Sequence, residues 1–423
     1  MIDPHRFRDD FDTVAQALAR RGWDRSDLER LRALDERRRS LIAEVDRARA
    51  EQRSASKAIG QAAPEERQAL IDEAAALKER VAQLEEDLTV AEAEHAVEFA
   101  RVPNLPDPAA PEGGEGEGVV LRTVGTQPAF DFAPRDHVDL LEPAGVLDLA
   151  RGAKTSGSRF AYLKGEAALL EFALVRYALD VAMAHGHVPV IPPVLVRQEA
   201  MYGTGFLPTD EQQLFVTRDD EFYLVGTSEV SLAAMHMDEL LDPDDLPLRY
   251  AGFSTCFRRE AGAHGKDTRG ILRVHQFDKV ELFAFVAPDA SADEHERLLS
   301  IEEEIFSGLD IHYQVVDIPV GDLGASAARK FDLEAWLPGQ DAYREITSCS
   351  NTTDYQARRL KARIRVPDGD NVLVHTLNGT ALAVGRTIIA LAEQHQRADG
   401  SVAVPERLQP YLGREVLFER GQD

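Results

Sequence analysis

Only two of the 423 residues are cysteine, Cys256 and Cys349. That excludes a disulfide scaffold and makes a reducing compartment, the cytoplasm, the expected setting. No stretch of 18 apolar residues occurs, so no membrane span is expected. The N-terminus, MIDPHRFRDD, lacks the basic-then-apolar order of a secretory leader. Neither a Gly-x-Gly-x-x-Gly fingerprint nor a P-loop Lys-Ser/Thr follows a strand-like segment, which argues against Rossmann and Walker-type nucleotide sites. Basic residues are in deficit, 48 Lys and Arg against 74 Asp and Glu, giving a formal net charge of −26. Taken alone, that balance argues against indiscriminate binding to nucleic acid.

What the chain does have is helical periodicity near its start. Residues 1–24 read as an amphipathic lead-in carrying Phe7, Phe11, Val14 and Leu18. From about Asp27, Leu34, Leu41, Val45, Ala48, Ala55 and Ile59 fall at spacings of three and four or their sums, with Arg38 and Gln52 in the gaps. The run breaks at Gly60-Gln-Ala-Ala-Pro64, and Leu70, Ala74, Leu77, Val81, Leu84, Leu88 and Ala91 form a second series. The pattern predicts an antiparallel two-helix coiled-coil arm over about 27–98. Helices of roughly 35 residues would be about 50 Å long. Residues 101–118, RVPNLPDPAAPEGGEGEG, cannot continue a helix and read as a linker. The expected organisation is an N-terminal domain over 1–100, this linker, and a body over 119–423.

The charge deficit is uneven along the arm. Residues 25–60 carry ten basic and seven acidic side chains, whereas 64–98 carry three and eleven. Two readings stand. The arm is a solvated surface with cross-helix ion pairs, or its first helix presents Arg37, Arg38 and Arg39 with Arg47, Arg49 and Arg53 to a phosphate backbone.

The body reads as α+β, an antiparallel sheet with segregated helices. Helices are expected at 140–152, 166–186 and near 291–307. Strands are expected at 221–229, 249–260, 269–286, 312–319 and 341–351, with a proline-interrupted one at 187–196. Residues 321–339 read as a glycine-containing segment, and 371–396 as a strand, a turn at Leu377-Asn-Gly-Thr380 and a long helix. Charged residues are unusually dense on these strands: Arg258, Arg259, Glu260, Arg269, Arg273, Glu281 and Glu345, with Arg386 in the final helix. Taken singly, each reads as a surface ion pair. Gathered on one sheet face, the arginines could clamp a triphosphate and the carboxylates could hold Mg²⁺ or an ammonium group.

These segments resemble the class II seryl-tRNA synthetases of bacterial type, over essentially the whole chain. GHVPVIPPVLV is similar to the family's motif 1, a dimer-interface element. FRREAGAHGKDTRGILRVHQFDKVE is similar to motif 2, and GTALAVGRTIIALAEQHQ to motif 3. LVGTSEV at 224–230, REITSCSNTTDYQARRLKARIR at 344–365 and the arm point to serine within the class. The resemblance implies serine binding by Thr227, Ser228, Glu229, Glu281 and Thr380, with Glu229 near the ammonium and Glu281 and Thr380 at the hydroxyl. It implies ATP binding by Arg258, Arg259, Glu260, Val274, Phe277, Glu345, Ile346, Thr347, Ser348 and Arg386. Arg258, Glu345 and Arg386 would be catalytic, and Arg259 departs from the family pattern and takes no specific catalytic role. Glu345, with Ser348, would hold Mg²⁺. No zinc is expected, since His264 and His275 form no convincing ligand set. The implied partners are L-serine, ATP, tRNA(Ser), tRNA(Sec) where one exists, and a second copy in a homodimer. Two rivals remain: a paralogue loading another amino acid onto a carrier protein, and a non-catalytic coiled-coil or RNA-binding scaffold.

Overall fold

The computed structural model describes residues 1–262, 269–367 and 369–418. The chain divides into two compact units, Asp3–Val102 and Pro103–Asp423, the latter joined by Met1 and Ile2.

In the first unit, two short helices, Pro4–Asp9 and Phe11–Ala19, precede two long ones, Arg25–Gln61 and Pro64–Arg101. The first long helix runs through Gly60, one residue beyond the expected break, and Pro64 starts the second where its missing N–H costs nothing. Leu28, Leu31, Val45 and Ala48 of the first long helix and Val81 and Ala91 of the second are buried, while Ala55 and Ile59 toward the tip are only half-buried. One polar residue enters the seam. Asp35 is buried, accepting from Arg38 at 3.0 Å and from Arg39 at 3.0 Å, with His95 at 3.6 Å.

In the second unit, an eight-stranded sheet forms the centre. In chain order its strands are β1 (Val119–Val124), β2 (Val188–Val190), β3 (Leu248–Phe257), β4 (Gln276–Val286), β5 (Tyr313–Asp317), β6 (Arg329–Leu337), β7 (Ala342–Thr353) and β8 (His375–Ala383). They lie in the order β1-β5-β6-β7-β8-β4-β3-β2. Every pairing is antiparallel except that of β2 with β3. Helices Glu166–Ala184, Ser291–Gly308 and Val384–Gln394 supply Leu170, Leu174, Leu298, Ile305, Ile388 and Leu391 to one apolar core with Val280, Leu282, Phe331 and Leu333. β4 is buried on both faces from Val280 onward, so its apolar residues run together instead of alternating.

Several expectations are corrected here. β4 starts at Gln276, so residues 269–275 are not strand. The helix expected at 140–152 is two helices, His137–Leu141 and Leu149–Ser156. The segment 321–339 contains β6, where buried Phe331, Leu333, Ala335 and Leu337 alternate with Asp332, Glu334 and Trp336. Leu377–Thr380 is not a turn but the middle of β8. Asn-Gly is a strong hairpin signal, but Gly379 is required for another reason. A Cβ there would stand 2.8 Å from Glu302 Oε1 and 3.3 Å from Cys349 Cβ. In residues 103–118, Asn104 is buried and donates to the carbonyls of Ser326 at 2.9 Å and Thr352 at 2.8 Å. That stretch packs within the second unit.

Two register breaks bear on the site. Along β4 and β8, Val280 faces Leu382 but Glu281 faces Thr380, so Ala381 is an extra residue. Along β6 and β7, Leu333 faces Thr347 but Glu334 faces Glu345, so Ile346 is extra. Such bulges re-aim the side chains on either side.

Candidate active site

A cleft of about 400 Å³ opens over β4, β6, β7 and β8. Alternation along the strands decides which residues reach it. Lys279 and Glu281 are two apart on β4 and both line the cleft, as does Thr380 opposite Glu281. Neighbouring Gly379 faces the other way, toward the helix Ser291–Gly308.

One end of the cleft is small and polar. Thr227 Oγ1 donates to Glu281 Oε2 at 3.1 Å and accepts from the Glu229 N–H at 3.2 Å, which fixes the start of the helix Glu229–Ala234. Glu229 accepts from Gln356 at 2.7 Å and from Asn378 at 3.1 Å. Burial, and after it the charge of Glu281, push the Glu229 carboxyl up to about 7. Burial also raises Glu281, against the pull of Lys279 and Thr227. Lys279 donates to Thr227 Oγ1 at 2.8 Å and forms an ion pair with Glu281.

The other end is cationic. Arg258 Nε donates to the Gly226 carbonyl at 3.0 Å, and its guanidinium lies over the Phe277 ring at 5.2 Å. Arg386 Nη1 donates to the Glu345 carbonyl at 2.9 Å. Burial would raise the Glu345 carboxyl, but Lys330, Arg386 and Arg258 together hold it down at about 2. Glu260 accepts from Arg273 at 2.8 Å and sits at a φ of 50°, strained for a residue with a Cβ. Val274, Ile346, Thr347 and Ser348 complete the wall.

The cleft therefore gathers Arg258, Glu260, Val274, Phe277, Glu345, Ile346, Thr347, Ser348 and Arg386 with Thr227, Glu229, Glu281 and Thr380. Two sequence-predicted residues do not join them. Arg259 is exposed, and its N–H donates to the Gln213 carbonyl at 2.9 Å. Ser228 is buried, with its hydroxyl 3.4 Å from the Gly252 carbonyl. Lys279, Lys330 and Asn378 line the cleft without having been singled out. For Lys279 a signal existed: a Lys-x-Glu pair of like orientation inside an apolar strand.

Cys256 and Cys349 are both buried free thiols, and burial raises both. Among the described residues, no three His, Cys, Asp or Glu side chains gather as a metal cluster. His264 lies outside the described residues, as does the connection 263–268. His275 Nδ1 stands 2.9 Å from the Arg258 carbonyl. No helix among the described residues is long and apolar enough to cross a membrane.

An antiparallel sheet that presents arginines and carboxylates over a cleft is the architecture of a class II aminoacyl-tRNA synthetase. Residues 214–395 match the tRNA synthetase class II core domain (G, H, P, S and T), and residues 1–106 match the seryl-tRNA synthetase N-terminal domain. The serine–tRNA ligase of Acidothermus cellulolyticus is 53% identical over 99% of both chains. That of Nocardia farcinica is 51% identical, again over 99% of both. The crystal structure of seryl-tRNA synthetase from Pyrococcus horikoshii complexed with ATP superposes with a TM-score of 0.89 at 38% identity, covering 98% of this chain and 99% of that one. A prolyl-tRNA synthetase from Giardia lamblia, at 15% identity and a TM-score of 0.57, shares the fold alone. The chain belongs to the bacterial-type seryl-tRNA synthetase family.

Proposed function

We propose that this cleft activates L-serine with ATP and then charges tRNA(Ser). A serine carboxylate oxygen attacks the α-phosphorus in line, forming seryl-adenylate and releasing pyrophosphate. The hydroxyl of the 3′-terminal adenosine of the tRNA then takes the seryl group, releasing AMP. No protein nucleophile is needed. The observation that carries the reading is the division of one cleft into an acidic, hydroxyl-lined end and a cationic end.

Glu229 meets the serine ammonium, and Glu281 and Thr380 meet its hydroxyl. Arg258 stabilises charge on the α-phosphate, Arg386 meets the γ-phosphate, Phe277 stacks on the adenine and Glu260 contacts its edge. Ile346, Thr347 and Val274 shape the ATP wall. Mg²⁺ would neutralise phosphate charge when bound with ATP. Glu345 and Ser348 would hold it, and a carboxylate kept ionised at about 2 beside a hydroxyl suits a hard cation that also keeps water and phosphate ligands.

The arm contacts tRNA(Ser) through its phosphates. Arg37, Arg47 and Arg53 make no ion pair among the described residues, which leaves them suited to that task. Arg38 and Arg49 are already engaged with Asp35 and Glu85. The chain works as a cytoplasmic homodimer and serves tRNA(Sec) where one exists. Ile191 in the motif 1 stretch is 87% exposed and Phe172 on the preceding helix is 67% exposed, large apolar side chains that support a covering partner.

The test is serine-dependent ATP–pyrophosphate exchange followed by seryl transfer. Exchange and charging of tRNA(Ser) are expected. No exchange by the folded protein would sink the reading, and exchange without charging would favour a paralogue that loads some other carrier.

A further inference from the structure

Lys279 is a buried cation of the cleft that none of the roles above uses. It is buried, among the buried side chains of Thr227, Glu281 and Thr380. Its Nζ donates to Thr227 Oγ1 at 2.8 Å, reaches Thr380 Oγ1 at 3.4 Å and pairs with Glu281. An ammonium can only donate hydrogen bonds, so each oxygen facing it must accept. That constraint propagates. Thr227 Oγ1 accepts from both Lys279 and the Glu229 N–H, so its own proton goes to Glu281. Thr380 Oγ1 accepts from Lys279, so its proton points elsewhere. Both contacts to Glu281 fall on Oε2, and the residue still lines the cleft.

We propose that Lys279 is a positioning residue that sets the hydrogen-bond polarity of the serine-hydroxyl site, with Thr380 made a donor and Glu281 an acceptor. A substrate hydroxyl donates to one and accepts from the other at once. Alanine satisfies neither, and leaves two buried polar groups without partners. Without the ammonium, the Thr380 hydroxyl is free to turn toward Glu281, to which Thr227 already donates, and Glu281 itself takes up a proton. The site then satisfies itself, and its preference for a hydroxyl is lost.

The inference rests on the assignment of Glu281 and Thr380 to the serine hydroxyl, and the experiment separates the two. Pyrophosphate exchange is measured for Lys279→Met, Glu281→Gln and the double variant, with serine, alanine and ATP each varied. Met keeps the length of the lysine stem. In Lys279→Met the serine KM should rise about tenfold or more, the preference for serine over alanine should fall about tenfold, and the ATP KM should stay within about twofold. The double variant should be no worse than Glu281→Gln, because the lysine acts through that carboxylate. This comparison also serves if Lys279→Met alone folds poorly, since the double variant leaves no unpaired charge. Serine and ATP KM moving together, or multiplicative losses in the double variant, would overturn the inference while leaving the site intact. An unchanged serine KM in Glu281→Gln would instead overturn the site assignment, and the inference with it.

Discussion

Arg386 grips Glu345 at two points: its Nη1 donates to the backbone carbonyl at 2.9 Å and lies 3.3 Å from the carboxylate. The contact joins the start of the helix Val384–Gln394 to β7 across the cationic end of the cleft. A guanidinium held this way is oriented before any phosphate arrives, which is the condition for electrostatic stabilisation without reorganisation.

Arg386→Ala should therefore slow serine-dependent pyrophosphate exchange by roughly 100-fold. Arg386 is part-buried, so melting should shift little. A near-normal exchange rate in the folded variant would contradict the role given to this side chain.

Glu229 gives a pH signature with two opposite signs. Its carboxyl is raised from 4.5 to about 7 by burial and then by Glu281, so between those values the folded chain holds a proton that the unfolded chain has lost. This contribution to stability is fully present below the unfolded value and disappears as pH rises through about 7. A serine ammonium needs the ionised form, so serine binding should strengthen over the same rise. Glu229→Gln should flatten the pH dependence of the serine KM, measured by exchange between about pH 6 and 8. A variant that keeps the full wild-type profile would show that another group governs it.

Glu302 is a buried carboxyl, and among the described residues only Thr347 stands near enough to favour its charged form by hydrogen bonding. Burial drives it well above the ordinary carboxylate range, so it folds as the neutral acid. The stability it contributes is fully present below the unfolded value and falls as pH rises from there toward the elevated folded value, because the unfolded chain ionises first. Glu302→Gln should consequently raise the melting temperature more at about pH 8 than at about pH 5. Equal shifts at both would mean that packing, not protonation, sets the effect.

Deleting residues 27–98 should spare adenylation and remove most of the transfer to tRNA(Ser). The deletion falls within one compact unit, and the cleft residues belong to the other. Circular dichroism would establish that the shortened chain is folded. Equal loss of both steps would refute the division of labour.

Much of this was legible in the sequence. The arm was readable because apolar spacing of three and four, sustained over two long runs, matches the turn of an α-helix and not the two-residue repeat of a strand. The strands β3, β5 and β7 were readable from composition. What was hidden depended on distant partners. Asp35 sits in an apolar seam because Arg38, Arg39 and His95 converge on it, two of them on its own helix and one on the next. Asn378-Gly379 looked like a turn, and the glycine is accounted for by the Glu302 and Cys349 side chains packed behind it. The cleft residues were found through family resemblance, and Lys279 was not, because its importance lies in three contacts made across 52, 2 and 101 positions of chain.

The two extra residues, Ala381 and Ile346, carry a final consequence. Each sits one position from a cleft side chain, Thr380 or Glu345, and decides which way that side chain points. Removing either would leave every charged group in the chain, yet restoring a regular ladder would turn side chains beyond the break to the opposite side of the sheet. Part of the information for this site is thus arithmetic and not chemical. Deletions in these strands should be far less forgivable than substitutions at the same positions. A transplant of the cleft into another antiparallel sheet would need those two residues as much as any arginine.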